Sequence, residues 1–600
     1  MKRGGFMHKS VYHLFLSNAG RIGDRVLLRH KKNGRWVGVT WDEHAEKAEA
    51  VGLALVRLGV DAGRRVGVVS DSRVEWVFAD MGIISVGCAT TAGYPSSPAR
   101  DIAYILAHSE CPAVFVENAA QMRKIIDELP NLPDIRKIIV FDPQGAPEHP
   151  MAVTFEDFLN FGREADEAVS AERRRRIDSL SPEDTVTVIY TSGTTGPPKG
   201  AMLSHANCAF IAETCSSLEF VKESDESLSF LPLAHALERV VFYASMAAGG
   251  VINFAESIEK LGDNMKEARP TVLVGVPRVY EKIHERVMAN VAESPRFKQK
   301  LFDWAIIVGR RAFNLTSRGE RVPAGAALKL AVADALVFKK IKAAAGGRIR
   351  WLGSGGAPLA PELQYFFCSV GMPLIQAYGL TETAAPAIIT PVDAIRIGTV
   401  GKRIDGVDVE IAPDGEVIIR GPSVFKGYFK NEEATREAFD RDWFKSGDLG
   451  SFDSEGYLSI TGRKKDLLIT AGGKNISPQN LEHHFSGIPL VSQVVICGDG
   501  RKYLTALFTL VEEDLRRFAA ERGLKEETVT PLARHPEVEK FIALKVEEIN
   551  KELPPYETVK KFRIIPGEFS IESGEMTPTM KIKRNVIFSR YSAEIESMYD

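Results

Sequence analysis

Residues 190–200 read YTSGTTGPPKG. These eleven positions hold four threonines or serines (Thr191, Ser192, Thr194, Thr195), three glycines (Gly193, Gly196, Gly200), two prolines and one cation, Lys199. Thr185 to Ile189, just upstream, are all β-branched and predict a strand running into an open loop. Downstream, MLSHANCAFIAETCSSLEF predicts a helix with Ser204 as its N-cap. Strand, glycine loop and helix terminus together offer several backbone N–H groups to phosphate. Glycine lets the backbone approach closely, the hydroxyls add donors, and Lys199 adds charge at a distance. The stretch is not the P-loop, which places glycine beside its lysine; here Pro198 precedes Lys199 and Gly200 follows it.

Working outward, helical patterns alternate with short apolar runs. VGLALVRLGVDAGRRVGVVSDS, DIAYILAHSECPAVFVEN and MRKIIDELPNLPDIRKIIVFD each predict a helix followed by a buried strand. That alternation predicts α/β architecture built on parallel sheet. After about residue 395 the strands change character. VDVEIAPDGEVIIRGP carries Asp-Gly between alternating apolar residues, a hairpin signal, and FDSEGYLSITGR reads similarly. A smaller α/β region follows, so the expected domains are 1–462 and 463–600. Arg173 to Arg176 read as a solvated helix face.

Composition narrows the function classes. The chain has 600 residues, 44% hydrophobic and 26% charged, with a formal charge of −3. That balance suits a globular enzyme and gives no field for capturing nucleic acid. The six cysteines are scattered without CxxC spacing, which suits a reducing compartment. The basic start, MKRGGFMHKSVYHLFLSNAG, has only a short, broken apolar stretch, so no secretory signal or membrane span is expected; any membrane contact would be peripheral.

Further motifs arrive in order after the loop: GSGGAPL, QAYGLTET, KSGDLG, GRKKDLLITAGGKNISPQNLE and TPTMKIKR. With YTSGTTGPPKG, this set resembles the AMP-forming acyl-CoA synthetases, the adenylate-forming enzymes, over most of the chain. The long spacer before GSGGAPL and the TPTMKIKR ending are most like long-chain fatty acid CoA ligases. The resemblance implies the adenylate-forming fold: a large multi-subdomain N-terminal region and a small mobile α/β C-terminal domain, hinged near Lys465. It implies ATP, Mg2+ and CoA as substrates and metal cofactor.

The resemblance also implies roles. Thr191, Ser192, Gly193, Thr194, Thr195, Gly196 and Lys199 would cradle phosphate. Thr191 and Glu382 would organise Mg2+, a hard cation that takes oxygen ligands. Gly355, Gly356 and Ala357 would hold adenine, Tyr378 would stack on it, and Gln376 and Gly379 share that segment. Thr381 and Thr383 would meet the α-phosphate. Asp448 and Arg463 would bind ribose or phosphate, since a carboxylate accepts two vicinal hydroxyls well. Gly472, Gly473 and Lys474 would lie near the CoA path. Many relatives end in a PxxxxGK pattern whose lysine serves adenylation. Here either Lys581 or Lys583 fills that role; Lys581 directly follows TPTM, and periodicity would place both on one face if the segment were extended. His235 reads either as a wall of the acid site or as a satisfied core histidine.

A carboxylate is a poor electrophile, and activating it on ATP needs cationic screening rather than an enzymic nucleophile. A long acid also needs a long apolar channel, with SFLPLAHALERVVFYASMAAGGVINF and TVLVGVPRVYEKIHERVM as candidate walls. PRFKQKLFDWAIIVGRRAFNLTSRG reads as an amphipathic core helix, with a membrane-facing role as the other reading. The expectation is fatty acid activation followed by CoA thioester formation. The rivals are an acyl-AMP ligase serving a carrier protein, luciferase-like monooxygenation, and a non-catalytic nucleotide-binding homologue; no carrier motif is evident.

Overall fold

The computed structural model describes residues 8–191, 197–524, 528–577 and 580–600. Two large sheets dominate. In the first, seven strands run in the order Ala152–Thr154, Lys137–Val140, Ala113–Val116, Arg65–Val69, Ala89–Gly93, Thr185–Thr191 and Lys199–Ser204, parallel up to the last, antiparallel pair. The helix–strand alternation supplies the right topology for this, because each crossover returns the next strand in the same direction. Trp41–Arg57, the helix that leads into the Arg65–Val69 strand, is started by a capping box in which Thr40 and Glu43 satisfy each other's backbone N–H.

The second sheet has nine strands. Its centre, Leu374–Leu380, Trp351–Gly355, Val272–Gly275, Glu226–Ser229 and Val251–Phe254, is parallel. At one edge the chain's first strand, Val26–Lys32, pairs parallel to Val251–Phe254, and Arg35–Thr40 closes that edge. At the other edge Ala385–Ile389 and Lys402–Arg403 turn antiparallel.

Both predicted hairpins form: Asp408–Ile411 with Glu416–Arg420, and Trp443–Phe452 with Leu458–Arg463. Beyond them, Val491–Cys497, Leu504–Leu510 and Val559–Ile565 make a three-stranded sheet with its own apolar core. That core draws on Leu468 to Val559 only, whereas the largest core of the preceding region ends at Leu458.

Two sequence expectations are corrected. The glycine loop does not lead into a helix: Lys199–Ser204 is a strand paired antiparallel to Thr185–Thr191, and the helix starts only at His205. Gly200, Ala201, Leu203 and Ser204 are buried in that strand, so only Met202 to Ser204 of the stretch read as helical are extended. Ser204 does cap the helix, its hydroxyl accepting from Asn207 N–H. Secondly, the arginine run is not a uniformly solvated face. Arg173 and Arg176 are buried, Arg173 donating to Tyr12 Oη at 2.6 Å and Arg176 to the Val60 carbonyl at 2.7 Å.

Candidate active site

The strand following residue 443 places Asp448 directly across from Arg463 on its neighbour. Arg463 Nε donates to Asp448 Oδ1 at 2.7 Å, and Tyr378 Oη donates to Oδ2 at 2.8 Å. Burial raises the Tyr378 phenol well above its usual range, and the Asp448 charge raises it further. It stays a donor. Three residues predicted from separate motifs therefore meet at one buried carboxylate.

A second cluster adjoins it. Leu374–Leu380 ends in a short turn, Thr381–Thr383, that carries Glu382. Glu382 is buried and accepts from Tyr428 Oη at 2.7 Å. Lys199 Nζ lies 5.4 Å from the centre of the Tyr428 ring, within cation–π reach. Thr191 donates to the Lys199 carbonyl at 3.4 Å, closing the base of the loop. Ser192, Gly193, Thr194, Thr195 and Gly196 lie outside the described residues.

The turn is strained. Ala384 and Ala385 both take positive φ, +50° and +70°, where alanine is disfavoured. A Cβ on Gly379 would sit 1.9 Å from the Ala385 carbonyl oxygen, so only glycine fits there.

Lys581 joins these clusters from the far end of the chain. Crowding protein lowers its pKa and the Arg463 charge lowers it further, while Asp448 and Glu382 raise it. Its surface remains open to water, as expected for a group standing in a cleft. The segment does not run straight: Met580 has φ +61°, and Lys581 N–H bonds back to Thr577 Oγ1 at 3.0 Å. That loop breaks the alternation that had left Lys581 and Lys583 on one face. Lys583 instead bonds through its backbone N–H to the Glu575 carbonyl and precedes the final helices.

His235 caps the Ala236–Ala248 helix, its Nδ1 accepting from Leu237 N–H at 3.1 Å. Burial, with help from the Lys581 charge, lowers it to about 4, so it is neutral at neutral pH. With Nδ1 accepting, Nε2 carries the proton. Three residues on, Glu238 is fully buried and raised by burial to about 8. Ser229 donates to it. Behind it, Arg239 and Tyr243 both reach the buried Asp80, Tyr243 Oη at 2.9 Å, fastening this helix to the Val74–Ile84 helix.

Between the helix and the second sheet lies a narrow apolar pocket, with about 70 Å3 of room for water-sized molecules. Leu237, Glu238, Val241 and Ala244 line one side; Val274, Gly353, Ser354 and Ala377 line the other. Gly353 and Ser354 belong to GSGGAPL and Ala377 to QAYGLTET. The Leu374–Leu380 strand thus borders both, lining the pocket through Ala377 and carrying Tyr378 in the polar cluster.

Other predicted residues sit differently. Gln376 is buried, and its amide donates to the Thr399 carbonyl and to Gln364 within the sheet. Thr383 is fully buried, its hydroxyl bonded to the backbone of Leu380 and Ala385. Thr381 is half-buried, and Gly356 (φ +79°) and Ala357 are exposed after the strand ending at Gly355. Gly472, Gly473 and Lys474 form an exposed hairpin away from the clusters, with Lys474 Nζ 5.6 Å from the Tyr556 ring centre. Sequence reasoning missed Tyr428, Glu238 and Arg239. The pair Glu238-Arg239 inside the apolar run LPLAHALERVVF was the available signal, since buried charges need partners.

A cation held here would meet two protein oxygen donors, the Glu382 carboxylate and the Thr191 hydroxyl. Among the described residues no three His, Cys, Asp or Glu side chains gather as a metal cage. Such a sparse donor set fits Mg2+, which keeps waters and substrate phosphates as ligands.

The sequence profile of the AMP-binding enzyme family matches residues 15–429, and that of the AMP-binding enzyme C-terminal domain matches 465–600. Long-chain-fatty-acid–CoA ligase FadD15 of Mycobacterium bovis is 36% identical, covering 99% of this chain and 97% of its own. Among solved structures, the adenylation domain of a Mycobacterium chelonae carboxylate reductase superposes with a TM-score of 0.75 at 21% identity, covering 98% of this chain and 91% of that one. ATP-bound MatB from Rhodopseudomonas palustris gives 0.69 at 22% identity, covering 97% and 99%.

Proposed function

This chain belongs to the AMP-binding enzyme family, and from that premise we propose that it is a long-chain fatty acid–CoA ligase using ATP and Mg2+. The observation that carries the reading is one strand, Leu374–Leu380, that lines the apolar pocket through Ala377 and carries Tyr378 into the polar cluster. One substrate is long and apolar, the other polyanionic, and their reacting ends must meet.

In the first step the acid's carboxylate oxygen attacks the α-phosphorus of ATP. The bond to the β-phosphate breaks and pyrophosphate leaves. Asp448 accepts the ribose hydroxyls, oriented by Arg463 and Tyr378. Glu382 and Thr191 would hold Mg2+, which supplies screening of the phosphate charge. Lys581 sits where negative charge develops, and its lowered pKa reflects partial desolvation before substrate arrives. Neutral His235 offers Nε2–H as a donor to the acid's carboxylate without adding a second cation beside Lys581.

In the second step the CoA thiol loses its proton, its sulfur attacks the acyl carbon, and AMP leaves. The hairpin bearing Gly472, Gly473 and Lys474 must reach the site for this step, by rotation of residues 463–600 about a hinge near Lys465. One site can then present two catalytic faces in turn. The protein acts in the cytoplasm and touches the membrane peripherally. Among the described residues no helix is long and apolar enough to cross a membrane.

Purified protein given ATP, Mg2+ and palmitate, with and without CoA, tests the reading. AMP, pyrophosphate and CoA-dependent palmitoyl-CoA are the expected products. An adenylate that CoA never discharges points to a carrier protein as acceptor, and absence of pyrophosphate with any acid removes the enzyme reading.

A further inference from the structure

Residues 296–344 form a helical excursion, Arg296–Thr316 followed by Ala324–Ala333, a short π-helical turn and Lys339–Ala344. The first helix packs inward through Phe302, Ala305, Gly309 and Ala312. Its outer stripe carries Phe297, Lys300, Ile307 and Arg311, spaced so that all four share one face. Phe297 is 67% exposed and Ile307 69%. The Ala324–Ala333 helix, AGAALKLAVA, is stranger still: nine of its ten residues are apolar or glycine, yet only Ala333 is buried. Leu328 and Val332, with Leu336 in the following turn, recur every four positions and are 69%, 42% and 50% exposed. Five of the fifteen large exposed hydrophobic side chains among the described residues fall within residues 297–336. Scattered exposed hydrophobes need no explanation; a cluster on adjacent helices does.

Charge identifies the occupant. Residues 296–344 hold eleven lysines and arginines against three acids, a formal +8, in a chain whose total is −3. Arg296, Lys298, Lys300, Arg311, Lys329, Lys339 and Lys340 are all exposed. A second copy docking this face on itself would press like charge against like. An anionic bilayer meets both features, accepting apolar side chains below its headgroups and basic ones among them.

We propose that the outer stripe of Arg296–Thr316 and the exposed face of Ala324–Lys340 dock the protein on anionic lipid, resting on the reading that its acid substrate partitions from a membrane. The first helix packs against Pro361–Ser369, the helix that follows GSGGAPL. Docking therefore holds the helix that follows GSGGAPL against the source of substrate.

The test is flotation of the full chain with vesicles of phosphatidylcholine alone or with phosphatidylglycerol added. The wild type is expected to float with the anionic vesicles and to be released by salt. L328E/L336E should lower its partition coefficient at least about tenfold, and K339Q/K340Q by about fivefold per lysine, from roughly 1 kcal/mol each. Failure of the wild type to float, or undiminished flotation of both variants, overturns the proposal. So does a wild-type dimer, by sedimentation, that L328E/L336E converts to monomer. Flotation needs neither ATP nor acid, so a protein that floats but makes no thioester overturns only the ligase reading. A protein that makes thioester from a soluble short acid but never floats overturns only this one.

Discussion

Arg463 and Asp448 face each other across an antiparallel strand pair, their side chains joined at 2.7 Å, with Tyr378 on the other carboxylate oxygen. Both oxygens of the carboxylate have protein donors, so its position is fixed within the fold. D448N should keep the shape but lose charge-assisted acceptance, worth about 1.5–3 kcal/mol. The KM for ATP is expected to rise at least about tenfold in steady-state kinetics, and an unchanged KM would remove Asp448 from the nucleotide site.

Lys581 feels Asp448 and Glu382, whereas the loop at Met580 sends Lys583 toward Glu575. K581A should slow ATP–pyrophosphate exchange about 100-fold or more, the scale for losing one electrostatic donor at the reacting centre. It should still form thioester from synthetic acyl-adenylate. K583A should stay close to wild type in both assays; the reverse pattern would reassign the lysine.

Tyr428 holds one oxygen of Glu382. E382Q should raise the half-saturating Mg2+ concentration strongly, and Y428F by about tenfold, the lower end for loss of a supporting hydrogen bond. Mg2+ titrations of initial rate read both. An E382Q enzyme with wild-type Mg2+ dependence would place the cation elsewhere.

Glu238 gives a pH signature in stability. Burial raises its carboxyl to about 8, against 4.5 for an unperturbed glutamate. The folded state therefore binds the proton more tightly, and stability is greatest below pH 4.5. It falls as pH climbs through the window toward 8, by about 1.4 kcal/mol for each pH step of one crossed, a few kcal/mol in all. E238Q removes that slope. Melting curves from pH 5 to 8.5 should show the variant gaining on the wild type as pH rises, and parallel curves would mean Glu238 is ionised throughout.

Much of this was legible in the sequence because local patterns carry it. Thr185 to Ile189 announced a strand, Asp414-Gly415 a hairpin, and Asp448 and Arg463 stood in motifs whose order survived intact. What was not legible depends on partners distant along the chain. Lys199–Ser204 is a strand because Thr185–Thr191 and Tyr428 offer it edges, and no window of MLSHAN contains that fact. Arg173 and Arg176 are buried because Tyr12 and the Val60 carbonyl receive them. Lys581 separates from Lys583 through one left-handed residue, Met580, which carries no glycine or asparagine to give it away.

The parallel pairing of Val26–Lys32 with Val251–Phe254 sets an order of events during synthesis. Leu28 must wait for Ile252, 224 positions later, before it has a neighbour on that side. A ribosome adding about 5–20 residues per second leaves the first hairpin unpaired on one edge for on the order of ten to forty-five seconds. The seven-stranded sheet, whose last strand ends at Ser204, is complete before then. The nascent chain thus passes through a stage with one sheet closed and another begun at its wrong end, and an emerging strand with a bare edge is what a holding chaperone would grip.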